Sequence, residues 1–297
     1  MNARRSTFGT DQPRTDDVDG RASLVAQLVD TDPERRRESL RAARSRRWID
    51  VYGDVVVRAV VVDGAPASRE ELVHTLSVSG RGHSLVLEDG DAILVVTSPG
   101  RSDLDVDGWI RDAAARAGTR VIGAIGSAGL RTDEQDLQRA ADDARATTEL
   151  LVLVGGDAIG TTRAEDLGVW RLLHTMSGSP DLVAAASPAA DELWRAPDPM
   201  RRTTVEAYLD SGCNVAVACR ALFIHRTTLY YRLESMPETV RDALADGLQR
   251  STLHLGLKLL RLWEGKNRPD AVPPSPGATI TPIRPRQASK RASHPVL

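Results

Sequence analysis

The sequence predicts an α+β protein: a mixed α/β unit in the middle of the chain, followed by an all-helical unit. Three observations carry this. Between residues 54 and 125, β-branched runs alternate with amphipathic stretches of helical period. An Asp89-Gly90 pair separates two apolar runs, and such a pair marks a hairpin because glycine tolerates positive φ. From Arg201 to Glu264 apolar residues recur only at helical spacing, punctuated by Gly212, Asn214 and Pro237.

The elements follow in order. Residues 1–20 are polar and mixed in charge, with no apolar stretch, so they read as a disordered N-terminus rather than a secretory signal. Leu24, Val25, Leu28 and Val29 stand at helical spacing. Asp32-Pro33-Glu34 is a helix start, with an N-cap acid, proline in the first turn and a carboxylate at the positive end. That helix is expected to run to about Trp48, and its arginines (35, 36, 37, 41, 44, 46, 47) read as a solvated face. Asp54–Val62 (DVVVRAVVV) reads as a buried strand. A helix over Ser68–Ser79 follows, then strands His83–Glu88 and Asp91–Thr97, a helix Ser102–Gly118 and a strand Arg120–Ile125. The order β-α-β-β-α-β is the split, ferredoxin-like arrangement. A helix Thr132–Leu150 should face inward through Leu137, Ala140, Ala141, Ala144 and Thr148. A short strand near Ala158–Thr161 and a helix near Ala164–Met176 close the unit.

The resulting division is a lead-in helical pair (21–48), an α/β unit (49–176), a proline-broken helical connector (177–200), a helical unit (201–264) and a disordered basic tail (265–297). The tail is proline-rich, without period, and carries Lys266, Arg268, Arg284, Arg286, Lys290 and Arg291 against Asp270.

Composition excludes several classes. No run approaches the roughly 18 apolar residues of a membrane span. The two cysteines, Cys213 and Cys219, are six apart and diverge on a helix, which fits a reducing cytoplasm rather than a disulfide framework. The six histidines show no metal-ligand spacing. A net charge of −2 from 39 basic and 41 acidic residues argues against a nucleic-acid partner only if the charge is evenly spread. It is not: the tail carries +5 and Arg201–Met236 carries +2, leaving −9 on the rest.

The segment Arg201–Glu264 is the informative one. A helix over Thr203–Ser211 ends at Gly212. Asn214 is an N-cap for Val215–Leu222, and Ala218 sits where two helices cross closely. Phe223-Ile224-His225 makes a turn into a third helix that Pro237 stops. In the third helix Leu229, Leu233 and Met236 form one apolar stripe, with Ile224 and Leu229 at staple positions. Thr227, Tyr230, Tyr231 and Glu234 then face away, flanked by Arg226 and Arg232. An outward face with two tyrosines, a threonine and bordering arginines suits a major groove about 12 Å wide.

The residues Ala207–Leu209, Gly212 and Asn214, the string ACRALFIHRTTLYYRL (Ala218–Leu233) and the later STLHLGLKLLRL resemble the C-terminal helix-turn-helix of PucR-type transcriptional regulators. Three positions depart from that pattern: Thr227 stands where the family usually has Asn, and Glu234-Ser235 replace basic residues. VIGAIG (Val121–Gly126) and AEDLGVWRLL (Ala164–Leu173) similarly resemble the GGDEF-like domain that precedes this motif in CdaR/PucR regulators. The resemblance implies sequence-specific binding of double-stranded DNA by a dimeric cytoplasmic regulator. Contacts are expected from Asn214, Arg226, Thr227, Tyr230, Tyr231 and Arg232, and an unknown small-molecule effector remains open.

Catalytic signatures are weak. Gly155-Gly156-Asp157 follows a long helix, lacks the Glu-Phe of a cyclase turn and is not in the D-G hairpin. Gly123, Gly126 and Gly129 follow a strand and precede a helix, so they read as a turn or a small anion cradle. No catalytic residue, cofactor or metal site is expected. The alternative is a nucleotide-sensing or cyclase-like enzyme whose helical unit serves assembly, with Asp89 and Asp91 as the candidate metal carboxylates.

Overall fold

The structure is a computed structural model that describes residues 23–49, 55–79, 84–98, 105–130, 136–155, 161–176 and 178–267. The expected disordered N-terminus, nearly all of the basic tail, all but Thr161 of the strand expected near Ala158–Thr161, and the Gly156-Asp157 pair lie outside these residues.

A helical turn over residues 23–29 leads into α1 (Pro33–Ser45). The Asp32 side chain accepts from Glu34 N–H at 2.9 Å and Pro33 opens the first turn. The helix ends before the expected Trp48, where Arg47 takes a left-handed φ of 57°. Next come β1 (Val55–Val60), β2 (Val62–Asp63), α2 (Pro66–Ser79), β3 (Ser84–Asp89), β4 (Ala92–Thr97) and α3 (Val106–Arg116). They are followed by β5 (Arg120–Val121), β6 (Gly126–Leu130) and α4 (Gln138–Val154).

The main sheet has the order β3-β4-β1-β6, with every neighbouring pair antiparallel. A two-stranded sheet pairs β2 with β5. The β3–β4 register sets Asp89 opposite Ala92, so the hairpin loop is Gly90-Asp91, with Gly90 at φ 60°. Arg69 of α2 clamps that loop. Its guanidinium donates to the carbonyls of Gly90, Asp91 and Ala92 at 2.8–3.0 Å and to Glu88 at 2.8 Å.

Both faces of the sheet are covered. Val60, Val86, Ile93 and Val95 pack on Leu72 and Leu76 of α2 and on Ile110, Ala113 and Ala114 of α3. Val55, Val57, Leu85, Leu87, Leu94 and Val96 pack on the other side with Leu28, Leu40 and Ala43 and with α4. The inner face predicted for α4 is the buried one: Leu137, Ala140, Ala141, Ala144 and Thr148 are all at most 2% exposed.

One prediction needs correction. The strand expected over Arg120–Ile125 is only two residues long; of the glycines read as a turn, Gly123 does turn the chain at φ 65°, whereas Gly126 and Gly129 lie in the edge strand β6. A Cβ on Gly126 would lie 2.4 Å from Thr148 N and 2.6 Å from Ala144 O, so α4 packs directly on the strand backbone. Thr148 Oγ1 accepts from Gly126 N–H at 2.9 Å and donates to Ala59 O at 2.8 Å, joining helix to sheet.

The remainder is helical. After a 3-10 turn at Ala164–Asp166 come α5 (Val169–His174), α6 (Pro180–Ala186), α7 (Pro188–Arg195) and α8 (Pro199–Asp210). Then come α9 (Val215–Leu222), α10 (Arg226–Glu234), α11 (Glu238–Ala245) and α12 (Gly247–Lys266). Pro180, Pro188 and Pro199 open α6, α7 and α8 in their first turns, where no N–H is needed, and Pro197 lies in the link between α7 and α8. Val183, Ala189, Ala190 and Leu193 of α6 and α7 share a core with Val205, Leu209, Met236, Val240, Leu253, Leu257 and Trp263.

The long helix α12 crosses between cores. Leu253, Leu257, Leu260 and Trp263 lie in the helical core, while Leu262 packs with Leu150, Leu153, Leu167, Trp170 and Leu173 below the α/β unit. Gly265 meets the backbone of Leu153 so closely that a Cβ would lie 2.1 Å from its carbonyl oxygen. Beside this seam Asp143 of α4 and Arg171 of α5, each 9% exposed, form an ion pair at 2.5 and 3.3 Å. Burial raises the Asp143 carboxyl above its usual value, against the lowering effect of Arg171 and Arg139. Among the described residues no helix is long and apolar enough to cross a membrane.

Candidate nucleic-acid interface

The module α8–α10 is built by its caps. Gly212 and Cys213, with φ of 61° and 62°, turn the chain out of α8. The Asn214 side chain then accepts from Ala216 N–H at 3.0 Å and Val217 N–H at 3.2 Å, satisfying two free donors at the start of α9. Ala218 is completely buried, as the close crossing requires. Phe223 closes α9 in the left-handed conformation at φ 54° and leaves its ring 95% exposed. His225 caps α10: Thr227 N–H donates to Nδ1 at 3.4 Å, and Thr227 Oγ1 lies 3.0 Å from the same nitrogen.

Packing then sets the face that α10 presents. Leu229 is fully buried and Met236 nearly so, while Leu222, Ile224 and Leu233 are half-buried at the edge of this small module. Arg226, Thr227, Tyr230, Tyr231 and Glu234 are all exposed. The two tyrosine rings are 50% and 72% accessible, an unusual amount of aromatic surface to leave in water. Four of the six expected contact residues therefore share one outward surface. Asn214 lies apart from them, at the start of α9, and its side chain is engaged as a cap.

Arg232 is placed differently. It is half-buried, and its Nη1 lies 3.1 Å from Met200 Sδ and 3.4 Å from Thr204 Oγ1, so it turns back on α8. Helical spacing could not show this, because the acceptors belong to another helix. Arg220, exposed in the last turn of α9, is a cation of the same module that the apolar pattern passed over. Its only signal was its place near the negative helix end.

Of the other candidate groups, Asp89, Gly123 and Gly129 are already partnered. Asp89 is bound by Arg145, which also bridges to Asp142. Gly123 O accepts from Arg111 at 3.1 Å, and Gly129 N–H donates to Glu165 at 2.5 Å. Among the described residues no group of three or more His, Cys, Asp or Glu side chains could hold a metal. Both cysteines are free.

Two capped helices joined by a tight turn, the second with a polar and aromatic outward face, define a helix-turn-helix module of the kind that DNA-binding transcription regulators use. Residues 202–259 match the family model of the PucR C-terminal helix-turn-helix domain, and the chain carries that domain. A stretch of 59 residues is 34% identical to the purine catabolism regulatory protein of Bacillus subtilis (strain 168), covering 20% of this chain and 11% of that relative. The solved structure of a regulator of polyketide synthase expression from Bifidobacterium adolescentis aligns over 83% of this chain and 100% of its own. Its identity is 14% and its TM-score 0.30.

Proposed function

We infer that the protein is a transcription regulator that binds double-stranded DNA as a homodimer, inserting α10 into the major groove. The observation that carries this is the outward face of α10, where Arg226, Thr227, Tyr230 and Tyr231 stand exposed beside a capped turn. Thr227, Tyr230 and Tyr231 read base edges. Arg226, at the helix start, meets phosphate or a base edge, helped by the positive end of the helix. Asn214 fixes α9 against the DNA backbone. Arg232 acts first as a positioning residue, holding α10 on α8. One nine-residue helix reads few base pairs, so a two-fold pair of modules reading half-sites about 34 Å apart supplies the specificity.

The α/β unit is the regulatory half. Its two β-α-β crossovers each bracket another strand, an order that supports a ferredoxin-like, GGDEF-like domain. Cyclase chemistry has little support, because Arg145 occupies Asp89 and Arg69 occupies the carbonyls of the hairpin loop. Regulation by an effector or a partner protein acting on this unit fits its close packing on α12. The proposed division keeps the lead-in (21–48), the α/β unit (49–176), the connector (177–200) and the DNA-binding unit (201–264), with α6 and α7 of the connector packing into the helical core.

The test is selection of bound duplexes from a random pool, followed by titration of the selected sequence with Arg226→Ala. Specific affinity is expected to fall by about tenfold or more, the 1–3 kcal/mol of one good base or phosphate contact, with the melting curve unchanged. Full retention of affinity sinks the assignment of α10.

A further inference from the structure

We propose that the C-terminal half of α1 is a second DNA-contacting surface, one that holds phosphates without reading sequence. It rests on the DNA-binding reading above but uses a different part of the chain.

Six of the seven arginines of α1 and its exit, all but Arg47, divide into two groups. The first three are neutralised. Arg35 meets Asp30 at 3.4 Å and Asp32 at 3.8 Å, Arg36 meets Asp136 at 3.3 Å, and Arg37 pairs with Glu34. Past Glu38 no acid occurs until Asp50, yet Arg41, Arg44, Arg46 and Arg47 fall within that interval. Among the described residues no carboxylate pairs with Arg41, Arg44 or Arg46. Arg44 is half-buried: its Nε is covered and without an acceptor, so only the end of its guanidinium can face a ligand. The Arg46 guanidinium lies 5.1 Å above the Trp48 ring, which holds its planar group in place before any ligand arrives. The negative end of a helix favours a cation in its last turn. That accounts for one cation in the last turn, not for Arg41, Arg44 and Arg46 together with no acid between them.

Charge complementarity names the occupant. The recognition helix itself carries only Arg226 and Arg232 against Glu234, and Arg232 is turned onto α8. A duplex presents a dense line of phosphates, and its affinity for a protein depends on how many are neutralised. Arg41, Arg44 and Arg46, which no carboxylate among the described residues pairs, supply what α10 lacks.

The experiment uses the full chain and a non-specific duplex, read by fluorescence anisotropy over a range of salt. Each neutralised phosphate contributes about 0.9 to the slope of log K against log salt. R41A/R44A/R46A is therefore expected to lower the slope by about 2–3, whereas R226A lowers it by about 1 at most. R41K/R44K/R46K should keep the slope, which separates charge from damage to the fold. An unchanged slope in the alanine variant overturns the proposal and leaves the α10 reading standing. A wild type that binds no duplex at all overturns both. A variant that changes the sedimentation of the free protein but not its slope assigns α1 to contact with a second copy, and also overturns it.

Discussion

Lys258 of α12 places its ammonium 2.7 Å from the Asp210 carboxylate at the end of α8 and 4.7 Å from the centre of the Trp170 ring in α5. One side chain thereby ties the helix preceding the turn motif to the helix that closes the α/β unit. His254, one turn earlier in α12, meets the same carboxylate at 2.6 Å. Lys258 is 8% exposed, so these partners offset the cost of burying its ammonium. Lys258→Met should keep the packing of the stem but break the link, lowering stability by about 1–2 kcal/mol. If the seam couples the two halves, the variant should also weaken any effector dependence of DNA binding. Thermal unfolding gives the first quantity and DNA titration with and without effector the second.

The same carboxylate sets a pH dependence. Burial alone would raise Asp210, but hydrogen bonds from His254 and Lys258 outweigh it and hold the carboxyl below its usual value. A group lowered on folding contributes stability above its unfolded pKa, and that contribution is lost as pH falls through the folded value. The stability gap between wild type and Asp210→Asn should be constant near neutrality and shrink below about pH 4. Melting curves of both proteins from neutral to acid pH measure it; a gap unchanged by acid would falsify the role given to Asp210.

Asn214 separates folding from recognition. Asn214→Ala removes the acceptor for two amides and should cost about 1 kcal/mol. Asn214→Asp keeps a good cap, and at a helix N-terminus its charge is tolerated. Next to a phosphate the same charge is repelled. The aspartate variant should therefore melt like wild type yet bind DNA more weakly and with altered salt dependence. Equal DNA binding by wild type and the aspartate variant would place Asn214 away from the backbone.

What the sequence made legible was whatever one segment decides by itself. The Asp32 cap, the Asn214 cap and the buried stripe of α4 depend on neighbours a few residues away, and each stands where its pattern puts it; the β3–β4 hairpin forms as well, with its loop one residue later, at Gly90-Asp91. The rest depended on distant partners. Gly126 looked like a turn residue because glycine usually means positive φ, whereas here it clears space for α4. Arg232 looked like a flanking contact because its acceptors lie on α8. Asp89 looked available because Arg145 follows 56 residues later.

Gly126 gives a direct check of that reading. In a turn, alanine would be tolerated or mildly unfavourable. In β6 the added methyl meets backbone atoms of α4 that cannot move separately. Gly126→Ala should therefore destabilise by about 1–3 kcal/mol or more, the range for overpacking. Denaturant unfolding measures the loss, and a neutral result would mean that α4 stands further from the sheet.

Phe223 supplies the opposite case. It is a non-glycine residue at φ 54°, and its ring, 95% exposed, makes almost no packing contact that truncation could remove. An L-residue in the left-handed region carries a cost of roughly 1–2 kcal/mol that glycine avoids. Part of that gain is offset by the greater freedom of glycine in the unfolded chain. Phe223→Gly is therefore expected to leave the melting temperature unchanged or raise it. With the turn intact, His225 should still cap α10 and Arg226 should keep its place. A variant that melts as high as wild type but binds the selected duplex more weakly would make the Phe223 ring itself a contact. A lower melting temperature would mean that the ring packs on the module after all.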